Sequence, residues 1–135
     1  MYFVDSNLWI YLFSKEDEQK YKIVDKLTDK PGLIISLQVV NEVSFILLRK
    51  FHFPEEEIKD TIRELYNAKI HTIGKHTLLK ASYLRSRYQF SFWDSILVAT
   101  GISCQCTSFF SEDMHDGLKI DGMEIINPFQ RQIEE

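Results

Sequence analysis

Most carboxylates in this chain stand among other charges, as in Glu16 to Glu18 and Glu55 to Asp60, but four stand in apolar company. Asp5 lies between MYFV and LWIYLF, Glu42 inside VVNEVSFILL, Asp94 inside FSFWDSILVA, and Asp113 just after CTSFFSE. Carboxylates are seldom buried unless something compensates the charge. Cations are scarce here: Arg49 and Lys50 are close in sequence to Glu42, and none directly flanks Asp5 or Asp94. Two such charges about 5 Å apart, at an effective dielectric near 20, repel by roughly 3 kcal/mol. Converging carboxylates therefore favour either protonation or a bound divalent cation. Oxygen ligands without thiolate or imidazole suit Mg²⁺ or Mn²⁺.

Each acid also has a structural explanation. Asp5 is placed to cap a helix beginning at Ser6. Ser91-Phe92-Trp93-Asp94 fits a capping box, with Ser91 as N-cap and Asp94 at the third helical position. Glu42 could look sideways from its helix into water, and Asp113 could be a turn residue. These roles do not exclude chemistry, since a capped first turn would also fix the direction of Asp94.

The elements that must position these residues can be read along the chain. Strands are expected at Met1–Val4, Leu33–Ile35, Lys69–Ile73, Thr107–Phe110 and Glu124–Ile126. Helices are expected at Ser6–Ser14, Glu16–Thr28 and Gln38–Phe51, after Pro54, at about Lys75–Arg87 and at Phe92–Ser103. Pro54 opens its helix with Glu55, Glu56 and Glu57 in the first turn, where the helix dipole favours acids. Strands alternating with helices imply an α/β fold with a mostly parallel sheet of four to five strands, covered by helices. In such open sheets, ligands bind beyond the carboxyl ends of the strands. Asp5 and Asp113 lie just past such ends.

Composition sets the outer bounds. The 135 residues, 44% hydrophobic and 27% charged, suit one folded domain over residues 1–135 with a core that needs no disulfide. The N-terminus has no basic leader, and no stretch approaches the roughly 20 apolar residues of a membrane span, so a cytoplasmic protein is expected. Cys104 and Cys106 lack the partners of a zinc site and read as thiols near a helix end. The net charge of −4 counts mildly against a nucleic-acid partner. It counts less if the acids are gathered to hold cations, which change the local sign.

Taken in order, these features resemble the PIN domain, and within it the VapC-type toxins of toxin–antitoxin pairs. The resemblance rests on an Asp directly after the first strand, a Glu in the helix after the second, the Asp of YQFSFWDSILVAT and an acid in FFSEDMHDG. The closing segment GLKIDGMEIINPF is similar to the last strand region of those toxins, so the likeness runs over nearly the whole chain. It implies a three-layer α/β/α fold and a metal-dependent endoribonuclease leaving 5′-phosphate and 3′-hydroxyl ends. Asp5, Glu42, Asp94 and Asp113 would hold one or two Mg²⁺ or Mn²⁺ ions. Glu112 and Asp116 stand within reach of the fourth role, and Ser6 and Ser111 match hydroxyl positions beside the site. His115 reads as an exposed loop residue.

Lys80, Arg85 and Arg87, interleaved with Tyr83, Tyr88 and Phe90, form a candidate RNA-contacting row leading to Asp94. The same arginines could instead complement a helix C-terminus. The resemblance further implies a homodimer and a cognate antitoxin in a groove between helices, with Trp9, Tyr11, Phe13, Phe45 and Phe51 as candidate anchors. Rival functions are a non-catalytic PIN-like binding module and a DNA-directed PIN nuclease. A receiver domain would need an acidic pair after the first strand, and a haloacid-dehalogenase-like phosphatase an Asp at position 7, which is Asn.

Overall fold

Strand β1 (Tyr2–Val4) has every residue buried, and the sheet is built outward from it in both directions. The computed structural model describes residues 1–130; residues 131–135, the end of the expected domain span, lie outside the described residues. On one side β1 pairs with β2 (Leu33–Ser36), which pairs with β3 (Lys69–His71). On the other it pairs with β4 (Ser108–Phe110), followed by β6 (Met123–Ile126) and β5 (Lys119–Ile120). All pairings are parallel except β5 with β6. Strand order therefore reverses at β1, the position where open α/β sheets leave a crevice at their carboxyl edge.

Among the described residues, six helices accompany the sheet: α1 (Ser6–Ser14), α2 (Glu18–Thr28), α3 (Leu37–Arg49), α4 (Glu55–Leu65), α5 (Lys75–Arg87) and α6 (Phe92–Ser103). They pack in two sets, α1 with α2 and α3 and then α3 with α4, and separately α5 with α6. Burial of β1 on both faces, with Phe3 stacked on Phe109 at 5.0 Å, is what a parallel sheet between helical layers requires. Gly101 of α6 lets that helix approach the sheet: a Cβ there would stand 2.9 Å from Met123 Sδ and 3.3 Å from Phe109. Cys106 is buried, Cys104 is partly buried, and both are free thiols.

Two expectations need correction. Among the described residues the sheet has six strands, because the chain makes a hairpin of β5 and β6 across Asp121 and Gly122, both at positive φ. An Asp-Gly pair is the usual residue choice for such a turn, and Lys80 of α5 bridges to Asp121. Helix α2 begins at Glu18, because Asp17 is its N-cap and accepts from the Lys20 N–H at 3.1 Å.

Candidate active site

Asp5 is held where β1 ends and α1 begins. Its backbone N–H donates to Phe110 O at 2.9 Å, extending the β1–β4 ladder, while its side chain caps α1. Oδ1 accepts from the Ser6 N–H at 2.7 Å and the Ser6 hydroxyl at 3.3 Å, and Oδ2 accepts from the Ser111 hydroxyl at 2.8 Å. Ser111 is wholly buried and tied by its N–H to Ile126 O at 3.0 Å. The Asp5 carboxyl, only 4% exposed, is pushed up to about 7. Burial is the main cause, with the charges of Asp94 and Glu42 adding to it against the Ser111 and Ser6 hydrogen bonds.

Glu42 approaches from α3, whose N-cap Ser36 ends β2 and accepts from the Val39 N–H at 3.3 Å. It is half-buried, with Gln38 Nε2 donating to it at 3.5 Å. Burial raises its pKa first and the Asp94 charge second, against hydrogen bonds from Gln38 and Ser6. The Ser6 hydroxyl thus acts on both Asp5 and Glu42. Asp94 comes from the first turn of α6, where its N–H donates to Ser91 Oγ at 3.1 Å, as a capping box demands. Its pKa is raised by burial and then by Asp113, against the Ser91 hydrogen bond. Capping and membership of the acidic group coexist in one residue.

The three acids near the end of β4 separate by partner. Glu112 turns to Lys20, with which it forms an ion pair, and to the Tyr11 hydroxyl. Asp116 accepts from the Asn127 N–H at 2.8 Å and so holds the C-terminal segment. Asp113 is exposed and faces α1: Asn7 Nδ2 donates to it at 3.0 Å, and its charge is felt by Asp94. A groove of about 460 Å³ opens beside Asp94 and Asp113, lined also by Tyr88, Phe90 and the exposed His115. A second, more apolar groove of about 720 Å³ opens beside Glu42, lined also by Leu37, Phe45, Ile73 and Trp93.

Several residues expected near substrate or partner have other company. Arg85 donates to the buried Ser95 hydroxyl at 2.7 Å and lies over the Phe92 ring, so it braces the first turn of α6. Lys80 bridges to Asp121, and Arg87 lies over Tyr83. Trp9, 4% exposed, belongs to the core, its indole N–H donating to Val4 O at 3.1 Å, which corrects its place among the partner anchors. Phe45 is 61% exposed, whereas Phe13 and Phe51 are partly buried. The aromatics that sequence reasoning missed are Phe92 and Trp93, more than half exposed at the start of α6.

The donor chemistry fits a hard divalent cation. Asp5, Glu42, Asp94 and Asp113 offer oxygens alone, and burial together with neighbouring acidic charge already penalises the first three as anions. Asn7 adds a buried Oδ1 that has no hydrogen-bond partner among the described residues. Sequence reasoning used Asn7 only to reject a phosphatase; its place two residues after Asp5 was the signal for it. The acids stand within electrostatic reach of one another, but among the described residues no three His, Cys, Asp or Glu side chains are already drawn into a ligand set.

The sequence profile of the PIN domain matches residues 2–115, and the chain belongs to that family, a family of nucleases. Its fold is that of the VapC-like toxins. A toxin–antitoxin complex from Klebsiella pneumoniae is similar at a TM-score of 0.75 and 22% identity, over 95% of this chain and 98% of that one. VapC20 from Mycobacterium tuberculosis, described as a sarcin–ricin loop cleaving toxin, is similar at a TM-score of 0.69 and 19% identity, over 84% and 92% of the two chains. FitAcB from Neisseria gonorrhoeae is similar at a TM-score of 0.72 and 15% identity, over 97% and 100%. No curated protein matches the chain by sequence. Among the described residues, no helix is long and apolar enough to cross a membrane.

Proposed function

We propose that this chain is a Mg²⁺- or Mn²⁺-dependent endoribonuclease, the toxin of a toxin–antitoxin pair, acting as a single domain on RNA in the cytoplasm. The observation that carries the reading is Asp5: a buried carboxylate at the end of the central strand, raised to about 7 by burial and in the field of Asp94 and Glu42. Family membership supplies the reaction class, and the position of Asp5 at the topological switch of the sheet supports the location.

Asp5, Glu42, Asp94 and Asp113 would hold the cation. When bound, it supplies an activated water and neutralises charge at the scissile phosphate. Ser6 and Ser111 orient the Asp5 carboxylate by hydrogen bonds to opposite oxygens. Glu42, half-buried beside Gln38 and in the field of Asp94, is placed to accept the proton of the attacking water. Water oxygen bonds to phosphorus, the bond to the 3′-oxygen breaks, and that oxygen takes a proton from solvent water to leave as a 3′-hydroxyl. Tyr88 and Phe90 line the groove beside Asp94, where bases of the RNA would stack.

The apolar groove containing Phe45 and Trp93 suits an antitoxin segment, a partner suggested by the complexes that similar folds form. A homodimer through the exposed Leu78, Leu79 and Tyr83 of α5 accompanies it. The functional test is cleavage of a mixed RNA pool by the protein freed of any partner. Cleavage is expected with Mg²⁺ or Mn²⁺ and none in EDTA; equal cleavage in EDTA would overturn the metal mechanism.

Ser111→Ala probes the support of Asp5 from the β4 side. It removes one of the hydrogen bonds that hold the Asp5 pKa down. Loss of an outer partner of this kind typically costs about 10–100-fold in metal affinity or activity. Cleavage titrated against Mn²⁺ is expected to need a correspondingly higher concentration for half-maximal rate.

A further inference from the structure

This inference rests on the metal-site reading above and concerns Asn7, in the first turn of α1. Its Nδ2 donates to Asp113 Oδ2 at 3.0 Å, while its Oδ1 is buried with no partner among the described residues. No other side-chain nitrogen or oxygen among the described residues is in that position. The orientation of the amide is not arbitrary. A carboxylate only accepts, so nitrogen must face Asp113, and a flipped amide would set oxygen against oxygen. The oxygen is thereby the end left over.

A buried acceptor without a donor is uncommon in folded proteins and calls for an explanation. The nearby groups do not relieve it. Asp5 and Asp113 are acceptors, the Ser6 N–H and the Ser111 hydroxyl are committed to Asp5, and the Ser6 hydroxyl serves Asp5 and Glu42. What the oxygen lacks is a positive or donating group, and it lacks it beside Asp113 and two residues from Asp5. Side-chain amide oxygens serve beside carboxylates as ligands of hard cations.

We propose that Asn7 is a neutral oxygen donor to the divalent cation of this site, and that its Nδ2 positions Asp113 toward the same ion. One amide then links the two ends of the acidic group: the end of β1, which carries Asp5, and the segment after β4, which carries Asp113.

The test compares Mn²⁺ binding, by calorimetry on the full chain, with the melting temperature in EDTA. Asn7→Leu is similar in size and removes both functions. It is expected to weaken Mn²⁺ binding at least about 10-fold, and to leave the melting temperature in EDTA unchanged or higher, because an unsatisfied acceptor has gone. Asn7→Asp keeps the oxygens and adds charge against Asp113. It is expected to melt lower in EDTA, to bind Mn²⁺ at least as tightly as wild type, and to gain more melting temperature on Mn²⁺ addition. A purely structural amide predicts a different pattern, a lower melting temperature for Asn7→Leu with Mn²⁺ affinity intact. Mn²⁺ binding lost in Asp5→Asn but retained in Asn7→Leu overturns the Asn7 inference alone. Wild-type protein that takes up no Mn²⁺ overturns the underlying metal reading with it.

Discussion

Asp5→Asn is expected to abolish RNA cleavage and yet to raise the melting temperature of the metal-free protein. Asn keeps an oxygen for the Ser6 N–H and is itself a good N-cap, so the start of α1 is preserved. Its amide nitrogen can donate to the Ser111 hydroxyl, which lies 2.8 Å from the present Oδ2. What disappears is a charge buried to 4% exposure beside two other acids. With the folded-state pKa at about 7, ionising Asp5 at pH 8 costs the fold on the order of 4 kcal/mol relative to the unfolded chain. Recovering even about 1 kcal/mol would lift the melting temperature by roughly 3–6 °C. On the proposed reading Asp5 is a direct ligand, so activity should fall by more than the roughly 10–100-fold typical of losing an outer partner. Asp94→Asn should lose cleavage likewise. Calorimetric melting in EDTA, paired with an RNA cleavage assay, separates the two effects. Wild-type cleavage by Asp5→Asn would refute the assignment, and lost cleavage with a lower melting temperature would reduce Asp5 to a structural role.

The second large effect is the pH dependence of stability, whose direction should reverse with the cation. Asp5 ionises near 3.9 in an unfolded chain and at about 7 in the fold. Between those values the folded state binds more protons, so stability falls as pH rises from about 4 to about 7 and levels off above. Glu42 and Asp94, also raised, act in the same direction. In EDTA the protein should therefore melt higher at pH 5.5 than at pH 8. A cation binds the ionised carboxylates, so Mn²⁺ should stabilise far more at pH 8 than at pH 5.5. Melting curves over this range, with EDTA and with Mn²⁺, measure both arms. A Mn²⁺ stabilisation that does not change with pH would contradict the coupling.

Local signals made much of the fold legible from sequence. The Ser91–Asp94 capping box fixed the start of α6, and Asp5 sat between a strand and a helix that both formed. Strand β5 went unseen because it has two residues, although Asp121-Gly122 marked its turn. Helical spacing could not tell Trp9 from Phe45: one donates to Val4 O in the core and the other stands in solvent, a difference set by tertiary contacts. The acids after β4 were ambiguous for the same reason. Lys20, 92 residues away, draws Glu112 aside, and Asn127 occupies Asp116. Neither partner announces itself locally. Asn7 was legible as a residue but not as a site member, since its unpaired oxygen exists only once α1 is folded beside Asp113.

A crystal of the protein soaked in Mn²⁺ and measured for anomalous scattering tests the gathering of these acids most directly. The expected result is a manganese peak bound by the Asp5 and Asp94 carboxylates at the carboxyl end of β1, with Glu42 close by. No peak there, or a peak only among the acids at the opposite edge of the sheet, such as Asp25, Asp29 and Glu64, would contradict it.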